Sequence, residues 1–246
     1  TVDKEIKKGL EAAVAKGGKV RIMTSSTASP STDAIINEFI GTLAGADAKV
    51  VTYDSISYSG IKTANNNSFG KAVVPEYNFD QAKVIVSISA DFLTNWLLST
   101  ENMAGYTQNR KPDNDWMSKH FQFESVMTTT GSNADVRIPI KPSEEGLVAA
   151  AILKHLTGTS VPGVTVNADL MERTKLVASE LKANQGKSLV VAGSNCSGTQ
   201  TIINAINNAL GSYGSTINLN NPVSIANGND AEVETLVKEV EAGQVD

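Results

Sequence analysis

The chain alternates short runs of apolar, often β-branched residues with longer stretches of helical periodicity. The clearest run is 83–88 (KVIVSI), which is apolar enough to be buried on both faces, as strands of parallel sheets are. Helical periods follow at 143–156, 168–183 and 199–210. Because strand–helix alternation of this kind implies right-handed crossovers, it predicts an α/β fold. We expect three layers, with a mostly parallel, Rossmann-like sheet between helices.

The other elements are assigned from periodicity and turn residues. We predict strands at 19–23, 49–53, 125–128, 135–140, 188–192 and 215–219, and helices at about 31–43, around Glu101 and at 230–242. Residues 55–74 are polar, with little periodicity. The connector 161–165 (VPGVT) is the best candidate boundary, so we expect an α/β domain at 1–160 and a second α/β unit at 161–246. That second unit is expected to be truncated at its C-terminus.

Charge and cysteine content exclude several classes of function. The 246 residues carry a net charge of −5, which argues against a large nucleic-acid footprint. No apolar run reaches the ~18 residues of a membrane span, so no direct membrane insertion is expected. A single cysteine, Cys196, cannot form an intrachain disulfide, an iron–sulfur cluster or a thiolate zinc site alone.

Parallel α/β folds bind ligands beyond the carboxyl ends of their strands. The loops in that position are 24–30, 89–95, 128–134 and 193–198. Gly193 and Gly198 have the spacing of a P-loop, but Thr199 stands where the P-loop lysine should be. Both readings of this loop stay open: a simple strand-to-helix turn, or a contact to an anion at the helix N-terminus.

No catalytic or metal-binding constellation is assembled in the sequence. Cys196 would need a neighbouring base, and the pattern does not place His120 or His155 beside it. Glu144 and Glu145 suit the start of a helix better than acid–base catalysis. We therefore predict no catalytic residue and no metal site, and we expect no catalysis by this segment alone.

Three segments, taken in order, resemble the molybdopterin oxidoreductase superfamily of the dimethyl-sulfoxide-reductase type. They are 79–92 (FDQAKVIVSISADF), 126–156 and 189–219. Residues 88–96 (ISADFLTNW), 117–125 (MSKHFQFES) and 128–146 are similar to one branch, the large iron–sulfur subunit of alternative complex III. The resemblance implies molybdopterin-oxidoreductase-type domains. It also implies a place in a respiratory quinol:electron-acceptor oxidoreductase.

Function, partners and location follow from this resemblance as expectations. The segment would be a scaffold for electron transfer, on the periplasmic face of a bacterial inner membrane. Its partners would be a ferredoxin-like domain, a cytochrome c subunit and a quinol-oxidising membrane subunit, with no nucleic acid. No cofactor is expected in the segment itself, while iron–sulfur clusters would lie elsewhere in the parent protein.

The resemblance also marks candidate cofactor-binding residues, in loops that would be vestigial for a pterin or nucleotide. These are Ser89, Asp91, Thr128, Thr129, Thr130, Glu145, Gly193, Ser194 and Gly198. The glycine and arginine that such loops would use to hold a pyrophosphate are replaced here. Two alternatives stay open: an active enzyme binding molybdenum–bis(molybdopterin guanine dinucleotide), such as a polysulfide-reductase-like protein, and a stand-alone nucleotide-binding module.

Overall fold

The computed structural model describes the whole chain, from Thr1 to Asp246. The helices and strands, in chain order, are α1 (Val2–Ala15), β1 (Lys19–Thr24), α2 (Pro30–Thr42), β2 (Asp47–Thr52), α3 (Ser59–Phe69), β3 (Glu76–Tyr77), β4 (Val84–Ile88), α4 (Ser99–Gln108), β5 (Lys119–Glu124), α5 (Thr129–Ser132), β6 (Val136–Pro139), α6 (Glu145–Thr157), α7 (Ala168–Ala183), β7 (Ser188–Ala192), α8 (Ser197–Ala209), β8 (Ile217–Asn218) and α9 (Asp230–Glu241). No helix is both long and apolar enough to cross a membrane.

The chain forms two compact units. The small unit comprises residues 1–59 and 224–246, and the large unit comprises residues 60–223. The predicted boundary between residues 160 and 161 lies inside the large unit. Although its Val-Pro-Gly sequence has the composition of a linker, Val161 packs against the main hydrophobic core and α6 packs against α7 across it.

The large unit is built on a four-stranded parallel sheet in the order β6-β5-β4-β7. One face carries alternate residues of the strands, such as Val86, Phe121 and Val190, which form the main core with α6, α7 and α8. On the other face, the ring of His120 in β5 is covered by Phe92, from the loop after β4, and by Tyr106, from α4. Helices therefore cover both faces, which confirms the predicted three-layer α/β class.

The small unit contains a β1-α2-β2 crossover with two parallel strands, paired from Lys19 with Asp47 to Thr24 with Thr52. Helix α2 begins at Pro30, and the hydroxyl oxygen of Ser29 caps it by accepting from the Thr32 amide at 3.3 Å. The buried apolar core of this unit is small. It consists of Ala13, Val20 and Leu43, with four partly buried residues around them.

Two predictions about secondary structure were wrong for the same physical reason. Residues 125–128 are not a strand; the strand is β5, in which His120, Gln122 and Glu124 are buried although they are polar. Residues 55–74 contain α3, whose Asn65 is buried and accepts from Asn204 at 2.9 Å. Buried polar side chains that bond one another leave no hydrophobic period for a pattern to detect.

Candidate functional site

The candidate site lies at the carboxyl edge of the four-stranded sheet. Chain order runs outward from β4 through β5 to β6 on one side, while β7 lies on the other side of β4. The connections therefore reverse direction between β4 and β7, and this is the position where open α/β sheets bind ligands. The loops that meet there follow Ile88 and Ala192, and they contain Ser89, Asp91, Gly193 and Ser194 as the sequence predicted.

The crevice between these two loops is closed by direct backbone contact. The amide of Gly193 donates to the carbonyl of Ile88 at 2.9 Å. A Cβ atom on Gly193 would overlap the carbonyl group of Ser89, so only glycine fits between the two loops. The backbone of Ser89 is itself strained, with φ at 54°. The amide of Gly193 is therefore already bonded within the sheet and is not free to bind a phosphate.

Asp91 joins the loop after β4 to the short helix α5. One of its carboxylate oxygens accepts from the Thr130 amide at 3.1 Å and from the Thr130 hydroxyl at 2.6 Å. The same hydroxyl oxygen accepts from the Leu93 amide at 3.0 Å. Asp91 and Thr130 therefore form a fixed clasp between two loops, whereas the neighbouring Thr129 is exposed.

Glu124, the last residue of β5, is the most heavily bonded carboxylate of the site. Its side chain is 2% exposed and accepts from Arg137 Nε at 2.6 Å and from the hydroxyl of Thr128 at 2.7 Å. The Thr128 amide and Gln122 Nε2 donate to it as well, both at 3.2 Å. Burial alone would raise the pKa of Glu124, but these donors hold the pKa below its usual range. The carboxylate therefore stays ionised and fully bonded.

A row of buried polar side chains continues from Glu124 along β5. Gln122 Oε1 lies 3.2 Å from His120 Nε2, and Tyr106 Oη lies 3.3 Å from His120 Nδ1. Burial lowers the pKa of His120 to about 4, so its ring is neutral at physiological pH. Gln122, Arg137 and this use of His120 were not predicted from the sequence. The signal was present in the alternation H-F-Q-F-E, which reads as a strand with one polar face.

The loop from Gly193 to Gly198 is a strand-to-helix turn held by its own side chains. The side-chain amide of Gln200 donates to the carbonyls of Ala192 and Ser194, at 2.9 and 2.6 Å. Asn195 Oδ1 accepts from the amide of Gly60 at 2.8 Å, which brings the start of α3 onto the loop. A Cβ atom on Gly60 would overlap the backbone of Asn195, so the two segments are in close contact.

Cys196 is exposed and lies immediately before α8. Hydrogen bonds from the Thr199 amide, the Thr199 hydroxyl and the Gly198 amide lower the pKa of its thiol. Neither histidine serves it as a base: His120 is bonded within the sheet, and His155 Nε2 lies 2.8 Å from the carbonyl of Met171. The thiol of Cys196 therefore has a lowered pKa, and neither histidine lies beside it to accept its proton.

We expect Cys196 to react with iodoacetamide with a pH midpoint below that of an ordinary thiol, about 8.5. Thr199→Val removes one donor to the thiolate and should move the midpoint upward. The rate of alkylation measured over a range of pH tests this, and Cys196→Ser gives the background. A midpoint at or above the ordinary thiol value in the unmodified chain would contradict the assignment.

Of the remaining predicted residues, only Gly198 joins this site through a hydrogen bond, from its amide to the Cys196 thiol. Glu145 lies in the first turn of α6, and its side chain forms no hydrogen bond or ion pair. Gly198 has open contact distances, with only Cys196 Sγ within 4 Å of a built Cβ atom. The chain contains no group of three or more histidine, cysteine or acidic residues arranged for a metal ion. Ligand binding by the predicted loop residues stays a prediction.

The small unit has a second polar region, at the carboxyl ends of β1 and β2. Asp54 accepts from the amide and hydroxyl of Ser26, at 2.9 and 2.5 Å, and from the amide of Gly228 at 2.9 Å. The adjoining pocket, lined largely by serine, threonine and asparagine side chains, has a volume of about 260 Å³. This is below the ~300–1,000 Å³ of ordinary small-molecule sites.

Comparison with known proteins shows similarity of fold. No family model matches the sequence, and no curated protein matches it. A chain in the X-ray structure of the formyltransferase/hydrolase complex (FhcABCD) from Methylorubrum extorquens, in complex with methylofuran, has a TM-score of 0.54 to this chain and 14% sequence identity. The match covers 85% of this chain and 55% of the other, so this chain spans about half of its structural neighbour.

This neighbour overturns the expectation that came from the sequence segments. It belongs to a formyltransferase/hydrolase complex, so the resemblance to molybdopterin oxidoreductases and to alternative complex III was wrong. The respiratory function, the quinol-oxidising and cytochrome partners and the periplasmic location were wrong with it. The quoted segments are built from strands, loops of small residues and helices that follow one another along the chain. Any parallel α/β domain needs that pattern, so it identifies a fold rather than a family.

Proposed function

We propose that this chain is a structural α/β region of a multi-subunit enzyme that transfers or hydrolyses formyl groups. The observation that carries the proposal is the shared fold, which extends over 85% of the chain. Since the match covers only 55% of the neighbour's own chain, the reacting groups of such an enzyme would lie in other segments or subunits. Under this proposal, the residues at the carboxyl edge of the sheet hold the loops in place and take no part in the reaction.

The bonding of the acidic groups supports a structural role. A general base must be able to take up a proton near the working pH. Glu124 is held as a carboxylate by Arg137 and Thr128, and one oxygen of Asp91 is committed to Thr130. The closed crevice between Ser89 and Gly193 supports a further part of the proposal, that this segment binds no cofactor of its own.

Purification of the natural full-length protein tests the assembly. With an affinity tag and expression from its own source cell, we expect it to elute in a stoichiometric complex that transfers or hydrolyses formyl groups and binds methylofuran. The control is the same preparation from cells that lack the tag. A protein that elutes alone, with no formyl transfer in its fractions, would contradict the proposal.

The variant Asp91→Asn tests the structural role of the clasp. Asparagine keeps an oxygen that can accept from Thr130 but cannot take up a proton, so we expect turnover of the assembled enzyme within about twofold of the unmodified protein. Steady-state rates per assembled complex give the comparison, and the melting temperature reports the fold. A loss of about 100-fold in turnover with an unchanged melting temperature would show that Asp91 reacts.

A further inference from the structure

An apolar groove runs between α1 and α2 in the small unit. It has a volume of about 570 Å³, and its floor and walls include Ile6, Leu10, Val14, Phe39 and Leu43. Ile6 is 56% exposed and Phe39 is 40% exposed. These are large apolar side chains from two neighbouring helices, and they face the same opening.

Helix α1 is poorly covered for its length. Of its 14 residues only Ala13 is buried, and the apolar stripe continues to Ile6 and to Val2, which is 73% exposed. A helix of this length is marginal in water unless an apolar face packs against something. The sheet covers only the C-terminal half of α1, so the N-terminal half has an apolar face and no cover.

The charges beside the groove alternate in sign along one flank of α1. Asp3, Lys7 and Glu11 are spaced by four residues, line the groove and lie one above the other on the helix. When two copies of a helix pack antiparallel about a two-fold axis, equivalent flanks face each other, and residue i of one copy contacts residue j of the other reciprocally. Because the charges on this flank alternate every four residues, opposite charges face each other when the two-fold axis lies midway between two successive charged residues.

We propose that this groove is a two-fold interface between two copies of the chain, each placing its α1 in the groove of the other. With the axis midway between Lys7 and Glu11, each Lys7 faces the Glu11 of the other copy. The axis passes beside Leu10, and Ile6 packs against Leu10 and Val14 of the second copy. The alternative axis, between Asp3 and Lys7, would place Ile6 against a lysine. The proposal does not rest on the proposed function.

Both charged residues are free to form this contact. Within one chain Lys7 and Glu11 lie 3.9 Å apart, and their side chains are 78% and 67% exposed, so the internal pair is loose. An exposed pair of that kind contributes little to stability and can be exchanged at little cost. The apolar stripe supplies the association, and the paired charges select the antiparallel register.

Sedimentation equilibrium of the full 246-residue chain tests the proposal. We expect a species of twice the 25.9 kDa chain mass at micromolar concentrations. Ile6→Asp should give a monomer with unchanged circular dichroism. If the unmodified chain is still a monomer at about 100 μM, any self-association is weaker than that of most specific interfaces. This result would overturn the proposal and would indicate that a different protein covers the groove.

Charge exchange tests the register. Lys7→Glu places like charges opposite each other at two symmetric contacts and should raise the dissociation constant about tenfold, as should Glu11→Lys. The double variant Lys7→Glu/Glu11→Lys restores opposite charges and should return to within about threefold of the unmodified chain. Lys8→Glu, on the face of α1 that points away from the groove, is the matched control and should leave the constant unchanged. Failure of the double variant to recover would overturn the proposed axis.

Discussion

Gly193→Ala is expected to cost the large unit at least about 3 kcal/mol of unfolding free energy, at the upper end of the range for overpacked positions. The added methyl group would meet the carbonyl group of Ser89 and the Cα atom of Ala90, which are backbone atoms and cannot rotate away. Relief requires the loops after β4 and β7 to separate, and this would break the bond from the Gly193 amide to Ile88. Urea unfolding followed by circular dichroism measures the loss.

Gly198→Ala is the matched control in the same loop. A Cβ atom there has only Cys196 Sγ nearby, at 3.7 Å, which is an ordinary contact. Because residue 198 lies in the first turn of α8, alanine should be neutral or stabilising by up to ~1 kcal/mol. Equal stability of the Gly193→Ala and Gly198→Ala variants would refute the closed crevice.

Glu124→Ala is expected to destabilise the chain by about 3 kcal/mol at neutral pH, because it leaves Arg137 and several buried donors without their acceptor. The effect should depend on pH. The pKa of Glu124 is lowered in the folded state, so its contribution is complete above the unfolded pKa of about 4.3 and is lost as the pH falls through the lower folded value. The stability difference between variant and unmodified chain should therefore shrink in acid.

Glu145→Ala provides the comparison, since this carboxylate forms no hydrogen bond or ion pair in the chain. Its removal should change the unfolding free energy by less than about 0.5 kcal/mol. Denaturant unfolding at neutral pH and again near pH 4 gives both quantities. A Glu124→Ala loss that stays constant as the pH falls would contradict an ionised, bonded carboxylate.

Helices that the sequence did not predict are those whose stabilising contacts are distant in the chain. Helix α3 contains three consecutive asparagines, and Asn65 is buried only because it lies against Asn204 and Val73. Propensity favours turns for such a run, and tertiary bonding overrides it. Helix α1, with one buried residue, is the exception, because its regular apolar spacing is present in the sequence although no helix was predicted there.

Order and class of the main elements followed from the sequence itself. A short, continuous run rich in β-branched residues predicts a strand buried on both faces, such as β4, whereas the apolar residues of the amphipathic α8 recur every 3.6 positions. The carboxyl edge as the position of the loops followed from topology alone, since all parallel strands end on the same side. These properties depend on local spacing, and the sequence contains them.

Only the tertiary structure decided what those loops do. Whether Gly193 lies open to a ligand or against Ser89 depends on two strands whose separation in the chain is about a hundred residues. The partners of Glu124 are nearer in the chain, in β5, at the N-cap of α5 and in β6, but only the folded sheet brings them around one carboxylate. Packing distances of a few ångströms distinguish a binding crevice from a closed clasp. Sequence spacing determines which residues lie at the carboxyl edge of the sheet. Whether the loops at that edge contact one another depends on how the strands and helices pack.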